Sequence, residues 1–468
     1  AGYMYINSDA LRLNSKTSAW NYLRGDKSDG VVKLYKSNSE KLATSDTGIT
    51  VTGEVAASQD YPNFPPLLDF NFAATAKLDL RLTFTREGTG TYYGKDGLVK
   101  FASTNEPRFD HDPVTRECRG LLIEEQRRNQ FRYTTTPGDS GWTNSKSGTF
   151  VQNTTETAAP DGTFTATKWT FTNNDPYLYD AQNLDANDPY TISMWVKAGT
   201  NMAGDRVQMR IGASPYSSGD IEVIPADGTW KRISYTKTVG GSAENSASVG
   251  FEPQVSPSGN PASGDVIYIW GPQFEKGAFA TSYIPSHNNY EPIRGQDFLV
   301  MTGSDVDDIF NPTEGTMIYE ASVTDLTNSN QPIVSFRNSL NTSEEYFSMG
   351  HATGGSAGKV RVWAKNAAGT NVHITTHSTS LVADTPYKHA FGYAYNNYSD
   401  VFTQGTTSSQ LNTTSGNHAM MATGVVNELR FGAYYTNLST YSLDSGHIKR
   451  FSYWRQRLTN EQLKTYIS

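Results

Sequence analysis

Cysteine is almost missing from this sequence of 468 residues: Cys118 stands alone. A single thiol excludes an intrachain disulfide, and with it the common structural zinc sites that take two or more cysteines. Basic excess is missing as well. The chain carries 39 Lys and Arg against 47 Asp and Glu, a formal net charge of −8. It therefore lacks the positive surface that nucleic acid or an anionic membrane wants. No apolar run approaches the ~18 residues of a spanning helix, and no signal-peptide pattern opens the chain. G-x-S-x-G, H-E-x-x-H and P-loop signatures are absent, as is Rossmann-like alternation of strands and helices. These absences lead us to expect a chain that is not an enzyme, uses no cofactor, binds no nucleic acid and does not insert into a membrane.

What is present is aromatic and polar. Hydrophobic residues amount to only 36%, yet Tyr, Phe and Trp make up 12%, and disordered chains are poor in aromatics. With 40 Gly and abundant Thr, Ser and Asn, the composition suits an all-β chain of many short strands and turns. The length suggests about three domains. A thin core without disulfides is expected to gain stability by self-association, because neighbouring chains then supply buried area. An alanine rather than a methionine at position 1 is read as processing or as a segment of a longer chain.

Taken in order, residues 1–57 show short strand-like pieces separated by turn signals. LRLNSKTSAWNYLRG and VKLYKSNSEKLATSDTG read as two copies of one motif. So polar a segment cannot bury a core by itself, which points to a multi-chain shaft. Residues 58–138 form a β-rich connector, entered through the proline-rich hinge YPNFPP. Within it, KLDLRLTFTR alternates, with Leu78, Leu80, Leu82 and Phe84 on one face of an expected strand. Residues 139–287 and 288–468 show strands and turns at the spacing of two β-sandwiches. The chain ends on LTNEQLKTYI, read as a short helix with Thr459 as N-cap and Gln462 completing a capping box.

Four stretches carry a family resemblance. VVKLYKSNSEKLATSDTGITVTGEV resembles a repeat from the shafts and anchors of bacteriophage tail fibres. Thr91–Asn129, with YYG, GLV, PRF, HDP and GLLIEE, resembles a connector of phage tail- and head-fibre proteins that is followed by a carbohydrate-binding-like sandwich. IYIWGPQFEKGAFATSYIPS resembles the closing strand of those jelly rolls. GHIKRFSYWRQRLTNEQL resembles the end of concanavalin-like (laminin-G-like) sandwiches. The resemblance implies an all-β virion fibre: a virion-proximal shaft or anchor, a connector, then two tandem jelly-roll β-sandwich domains. It implies a homotrimer that contacts other tail or capsid proteins through its N-terminal segment and adsorbs to host-surface glycan without catalysis. The alternatives are a head fibre or neck decoration with a purely structural role, and a polysaccharide-degrading tailspike.

Candidate site residues follow from residue type. Sugars stack on aromatic rings while amides and carboxylates bond the hydroxyls, which selects Tyr177 and Tyr179, then Asn396, Asn397 and Tyr398 at an expected loop tip, then Tyr434, Tyr435 and Asn437. The bland reading of such tyrosines is cross-strand or core packing. Asp305, Asp307 and Asp308 offer hard oxygen ligands for calcium, against a solvated acidic turn. Adjacent Glu124 and Glu125 point to opposite faces of a strand, so they cannot flank one glycosidic bond. They are read as structural, paired with Arg119, Arg127 or Arg128. Asp110-His-Asp112 ahead of Pro113 is read as a turn held by Asx bonds. His373 and His377 are expected to face one side of a strand without adjacency.

Overall fold

The computed structural model describes the chain from residue 65 to 468, apart from 140, 146–147, 173–174, 213–219, 258, 328–330, 340–344, 352–357, 366–370, 409–410, 415–425 and 434–442. Before residue 65 it describes 10–14, 21–26, 31–36, 39–45 and 48–51. These five early strands form one antiparallel meander, each pairing with the next. In Val31–Lys36 the side chains of Val32 and Leu34 are exposed, with no second layer over them among the described residues. This unit, residues 1–64, is distinct from the compact unit 65–468.

In the larger unit, two five-stranded antiparallel sheets occupy the middle of the sequence. One runs Thr143–Ser145, Tyr177–Leu184, Glu244–Gln254, Arg206–Gly212, Ile221–Val223. The other runs Thr149–Val151, Thr167–Thr170, Val266–Lys276, Pro189–Ala198, Lys231–Thr238. Period-2 alternation sends Leu178, Val249, Phe251 and Met209 from the first sheet into a shared core with Trp169, Ile192, Met194, Ile269 and Phe274 from the second. That is the packing of a β-sandwich.

The last third builds a second pair of sheets around one core that includes Met317, Tyr319, Val334, Phe336, Phe391, Phe431, Phe451 and Tyr453. Residues from the expected connector enter these sheets directly. Leu68–Asn71 and Cys118–Glu124 both pair with Ser445–Trp454, and Thr83–Thr85 pairs with Phe298–Thr302. Gly120, at φ +104°, lets this pairing form: a Cβ there would collide with the carbonyl of Ile448. The chain is thus all-β, with sheets packed as sandwich-like layers. No helix among the described residues is long and apolar enough to cross a membrane.

Two local expectations met different outcomes. KLDLRLTFTR is a strand only over Thr83–Thr85. Asp79 accepts the backbone N–H of Arg81 and its guanidinium, closing an Asx turn that leaves Leu80 fully exposed. The C-terminal helix forms as read, over Asn460–Ile467, with the reciprocal Thr459–Gln462 capping box. Thr459→Ala is expected to cost about 1 kcal/mol, measured by urea denaturation. Because Leu463 and Ile467 are buried against Trp454 and Leu458, the loss should appear in global stability rather than as fraying alone.

Candidate functional site

The sheets meet at a buried ionic cluster. Arg108 donates to Glu124 Oε2 at 2.6 Å and to Asp297 Oδ2 at 2.5 Å; Arg294 lies 2.9 Å from Glu124 Oε2 and Arg86 3.4 Å from Asp297 Oδ1. Ser282 adds its N–H to Glu124 Oε1 and its hydroxyl to Oε2. Burial alone would raise the Glu124 pKa, but Arg294, Arg108 and Ser282 outweigh it and hold the carboxyl well below the usual range. Its neighbour Glu125 moves the other way. Burial, aided by Asp444, raises it despite the Arg127 guanidinium at 2.5 Å. Strand alternation therefore separates the two glutamates as expected. The partners of Glu124, however, are Arg108 and Arg294.

Beside this cluster a cavity of 160 Å³ opens, lined by Tyr92, Tyr93, Trp195, Arg232, Asp110 and His447 among others. Asp110 belongs to the strand Phe109–His111, which breaks register between Asp110 and His111. The bulge turns Asp110 inward, where Oδ1 accepts the N–H of Tyr93 at 2.6 Å and Oδ2 faces His447 Nε2 at 2.8 Å. Asp112 alone keeps the turn role, accepting the N–H groups of Val114 and Thr115 and pairing with Arg119. His447 comes from the strand opposite Leu122. Arg232 places its guanidinium 4.5 Å over the Trp195 ring and donates Nη2–H to Ser193 Oγ at 3.1 Å. Its Nε has no hydrogen-bond partner, and it makes no ion pair with a carboxylate among the described residues. Burial draws its pKa down.

A second constellation lies inside the C-terminal sandwich. Asp400 gathers three imidazoles: His373 Nε2 is 3.2 Å from Oδ1, His377 Nε2 2.5 Å from Oδ2 and His389 Nε2 3.5 Å from Oδ2. Asn371–Ser380 supplies two of them from one sheet; Tyr387–Ala394 and Asn397–Gln404 supply His389 and Asp400 from the other. Asp400 sits two residues from Phe402, the register partner of His389, so the pair shares a face. All four side chains are buried. Burial holds His389 down at about 4. This cluster is buried among the described residues, whereas the junction cavity is open.

Of the tyrosines and amides selected from the sequence, Tyr398 packs against the second constellation, and among the described residues none lines the junction cavity. Tyr177 and Tyr179 stack at 4.9 Å on one strand, with Arg210 5.6 Å from the Tyr177 ring. Asn396 holds a tight turn at φ +56° and Asn397 is exposed beside it. Tyr398 is only 2% exposed, its ring stacked on His373. Asp305 and Asp307 sit on the single turn Ser304–Asp307 and Asp308 follows it, all three exposed. Tyr434, Tyr435 and Asn437 lie outside the described residues. Sequence reading missed Asp110–His447 because the two are separated by 337 positions. Only the strand pairing joins them.

No protein-family model and no curated protein matches this sequence. Solved structures show partial likenesses. The sialidase carbohydrate-binding module (CBM40) of Ruminococcus gnavus, bound to α2,3-sialyllactose, shares 15% identity with a TM-score of 0.29, over 35% of this chain and 86% of that one. A polysaccharide lyase of family 18 shares 12%, with a TM-score of 0.22, over 36% and 81%. The Trypanosoma rangeli sialidase in complex with DANA shares 10%, with a TM-score of 0.27, over 65% and 60%. At such identities and TM-scores the likenesses decide nothing about this chain, whose β-sandwich packing is read from its own sheets and core. The expectation of a non-enzymatic phage fibre is corrected here. The chain itself assembles a buried His377–His389–Asp400 cluster of metal-ligating or acid–base character, which a purely structural fibre does not call for. Neither the matches nor the geometry supports a virion identity.

Proposed function

We propose that the protein binds an acidic polysaccharide in the junction cavity and cleaves it there. One observation carries this reading: a guanidinium without a carboxylate partner, Arg232 over Trp195, shares a cavity with the Asp110–His447 pair. Arg232 suits a sugar carboxylate and Trp195, Tyr92 and Tyr93 suit the apolar faces of the rings. Asp110, accepting from Nε2–H, fixes the His447 tautomer that leaves Nδ1 as proton acceptor.

The same inventory selects among bond-breaking routes. Glycosidases flank the scissile bond with two working carboxylates. Glu124 also borders the cavity, but both its oxygens are consumed by Arg108, Arg294 and Ser282. One carboxylate-oriented base and one uncompensated guanidinium suit elimination better. Neutralising a uronate carboxylate acidifies the C5–H beside it. The base takes that proton, a C4–C5 double bond forms and the C4–O bond breaks, the departing oxygen gaining a proton. Incubation with polygalacturonate, alginate and hyaluronan, against neutral dextran and xylan, tests this through new reducing ends and the ultraviolet absorbance of unsaturated products. Cleavage of a uronate polymer is expected, and Asp110→Asn should slow it about 10²–10⁴-fold with the melting midpoint little changed. Failure to cleave any of the three, or equal rates in the variant, rules out this site.

A further inference from the structure

The buried imidazoles around Asp400 pose a problem that hydrogen bonds alone do not solve. His389 Nδ1 is 3.3 Å from the Tyr319 hydroxyl, Tyr319 is 3.1 Å from the Tyr387 hydroxyl, and Tyr387 is 2.9 Å from His351 Nε2. One direction runs from His389 Nδ1–H to Tyr319, from Tyr319 to Tyr387 and from Tyr387 to His351 Nε2, with His351 Nδ1 left without a partner. That chain leaves His389 Nε2 as a bare lone pair. It faces Asp400 Oδ2 across 3.5 Å with no hydrogen bond of its own. An acceptor held against a carboxylate in a dry interior calls for a cation between them.

We propose that His377, His389 and Asp400 bind a divalent transition ion such as Zn²⁺ that clamps the two sheets of the C-terminal sandwich, with His373 hydrogen-bonded to Asp400 Oδ1 as an outer partner. The ligand atoms of the first three lie within 4.8 Å of one another. Ligand bonds of about 2.0–2.2 Å place tetrahedral donors roughly 3.3–3.5 Å apart; His389 Nε2 already stands 3.5 Å from Asp400 Oδ2, and His377 Nε2, hydrogen-bonded to the same oxygen at 2.5 Å, opens by about 1 Å to ligate. Imidazole nitrogens with one carboxylate suit zinc rather than calcium or magnesium. The outer shell is present too. Thr375 donates its hydroxyl to Asp400 Oδ1 at 2.7 Å, and the Tyr319 hydroxyl holds His389 from behind. The Asn412 amide lies 3.2 Å from His377 Nδ1; turned to present its oxygen, it accepts the proton that Nδ1 carries when Nε2 binds metal. With every ligand buried, the site is closed and the ion structural. In a chain without disulfides it supplies an inter-sheet link.

The full chain is to be unfolded with chelator and refolded with Zn²⁺, with Co²⁺ or without metal. One retained ion per chain, a melting midpoint raised by about 10 °C and the intense visible bands of tetrahedral Co²⁺ are expected. His389→Gln should abolish retention. Should that variant not fold, X-ray absorption at the zinc edge of the wild type decides, since it counts imidazoles directly. Two or three imidazoles support the site; none or one, absent retention, or unchanged binding in a folded His389→Gln overturns it. Polysaccharide cleavage is read separately, so failure of either proposal leaves the other standing.

Discussion

Glu124→Ala is expected to lower unfolding free energy by about 3–5 kcal/mol, measured by denaturant unfolding at neutral pH. The loss is not the worth of one contact. Arg108 and Arg294 are both fully buried, and removing their shared carboxylate leaves Arg294 without an ion-pair partner among the described residues and Arg108 sharing Asp297 with Arg86. Ser282 loses the acceptor of both its N–H and hydroxyl as well. Glu124→Gln should recover part of the loss, because an amide oxygen still accepts while the charge is gone. The pH dependence has a defined sign. A carboxyl whose folded pKa lies below its unfolded value of about 4.3 contributes stability fully present above that value and lost as pH falls below it. The wild type should therefore lose part of its advantage over Glu124→Gln as pH falls below about 4. A deficit under about 1 kcal/mol for the alanine variant would show that the cluster relaxes or hydrates, and is not the dry joint described here.

The all-β architecture was readable because alternation works where one face is buried. Glu345–His351 and Lys359–Lys365 form strands within the segment whose spacing predicts the second sandwich. KLDLRLTFTR misled because its leucine alternation is indifferent to a short-range competitor, the Asp79–Arg81 turn. Site legibility followed sequence distance. The alternation of NVHITTHSTS does put His373 and His377 on one face, but that face acquires meaning only when Asp400 is known to lie across from it. Asp110 carried a misleading local signal, since the same tripeptide contains a genuine Asx turn at Asp112. A bulge of one residue separates the two roles, and a bulge is set by the partner strand rather than by the tripeptide. Arg232 was invisible for a related reason. On its own strand it is an ordinary exposed-face cation, and its environment comes from Trp195 and from the distant Tyr93 and His447.

Arg232→Met should separate the demands of ligand and fold. Binding of a uronate polymer is expected to weaken about 30-fold or more, measured by affinity electrophoresis or calorimetry against neutral dextran as control. Stability should hold or rise slightly. A partly buried guanidinium with an unpartnered Nε is a cost to the fold, while methionine keeps sulfur and methylene contact with the Trp195 ring. Arg232→Lys makes the complementary comparison. It keeps the charge but loses the planar group over the indole and its paired donors, so affinity should fall between the wild type and methionine. Wild-type affinity should also decline with salt, because exposed parts of the polymer are screened, and the methionine variant should show a shallower decline. A methionine variant that binds uronate polymer like the wild type would remove the guanidinium from the recognition argument. One that unfolds instead would assign Arg232 to the joint between the sheets, and the cavity would then lack the cation on which acidic-sugar specificity depends.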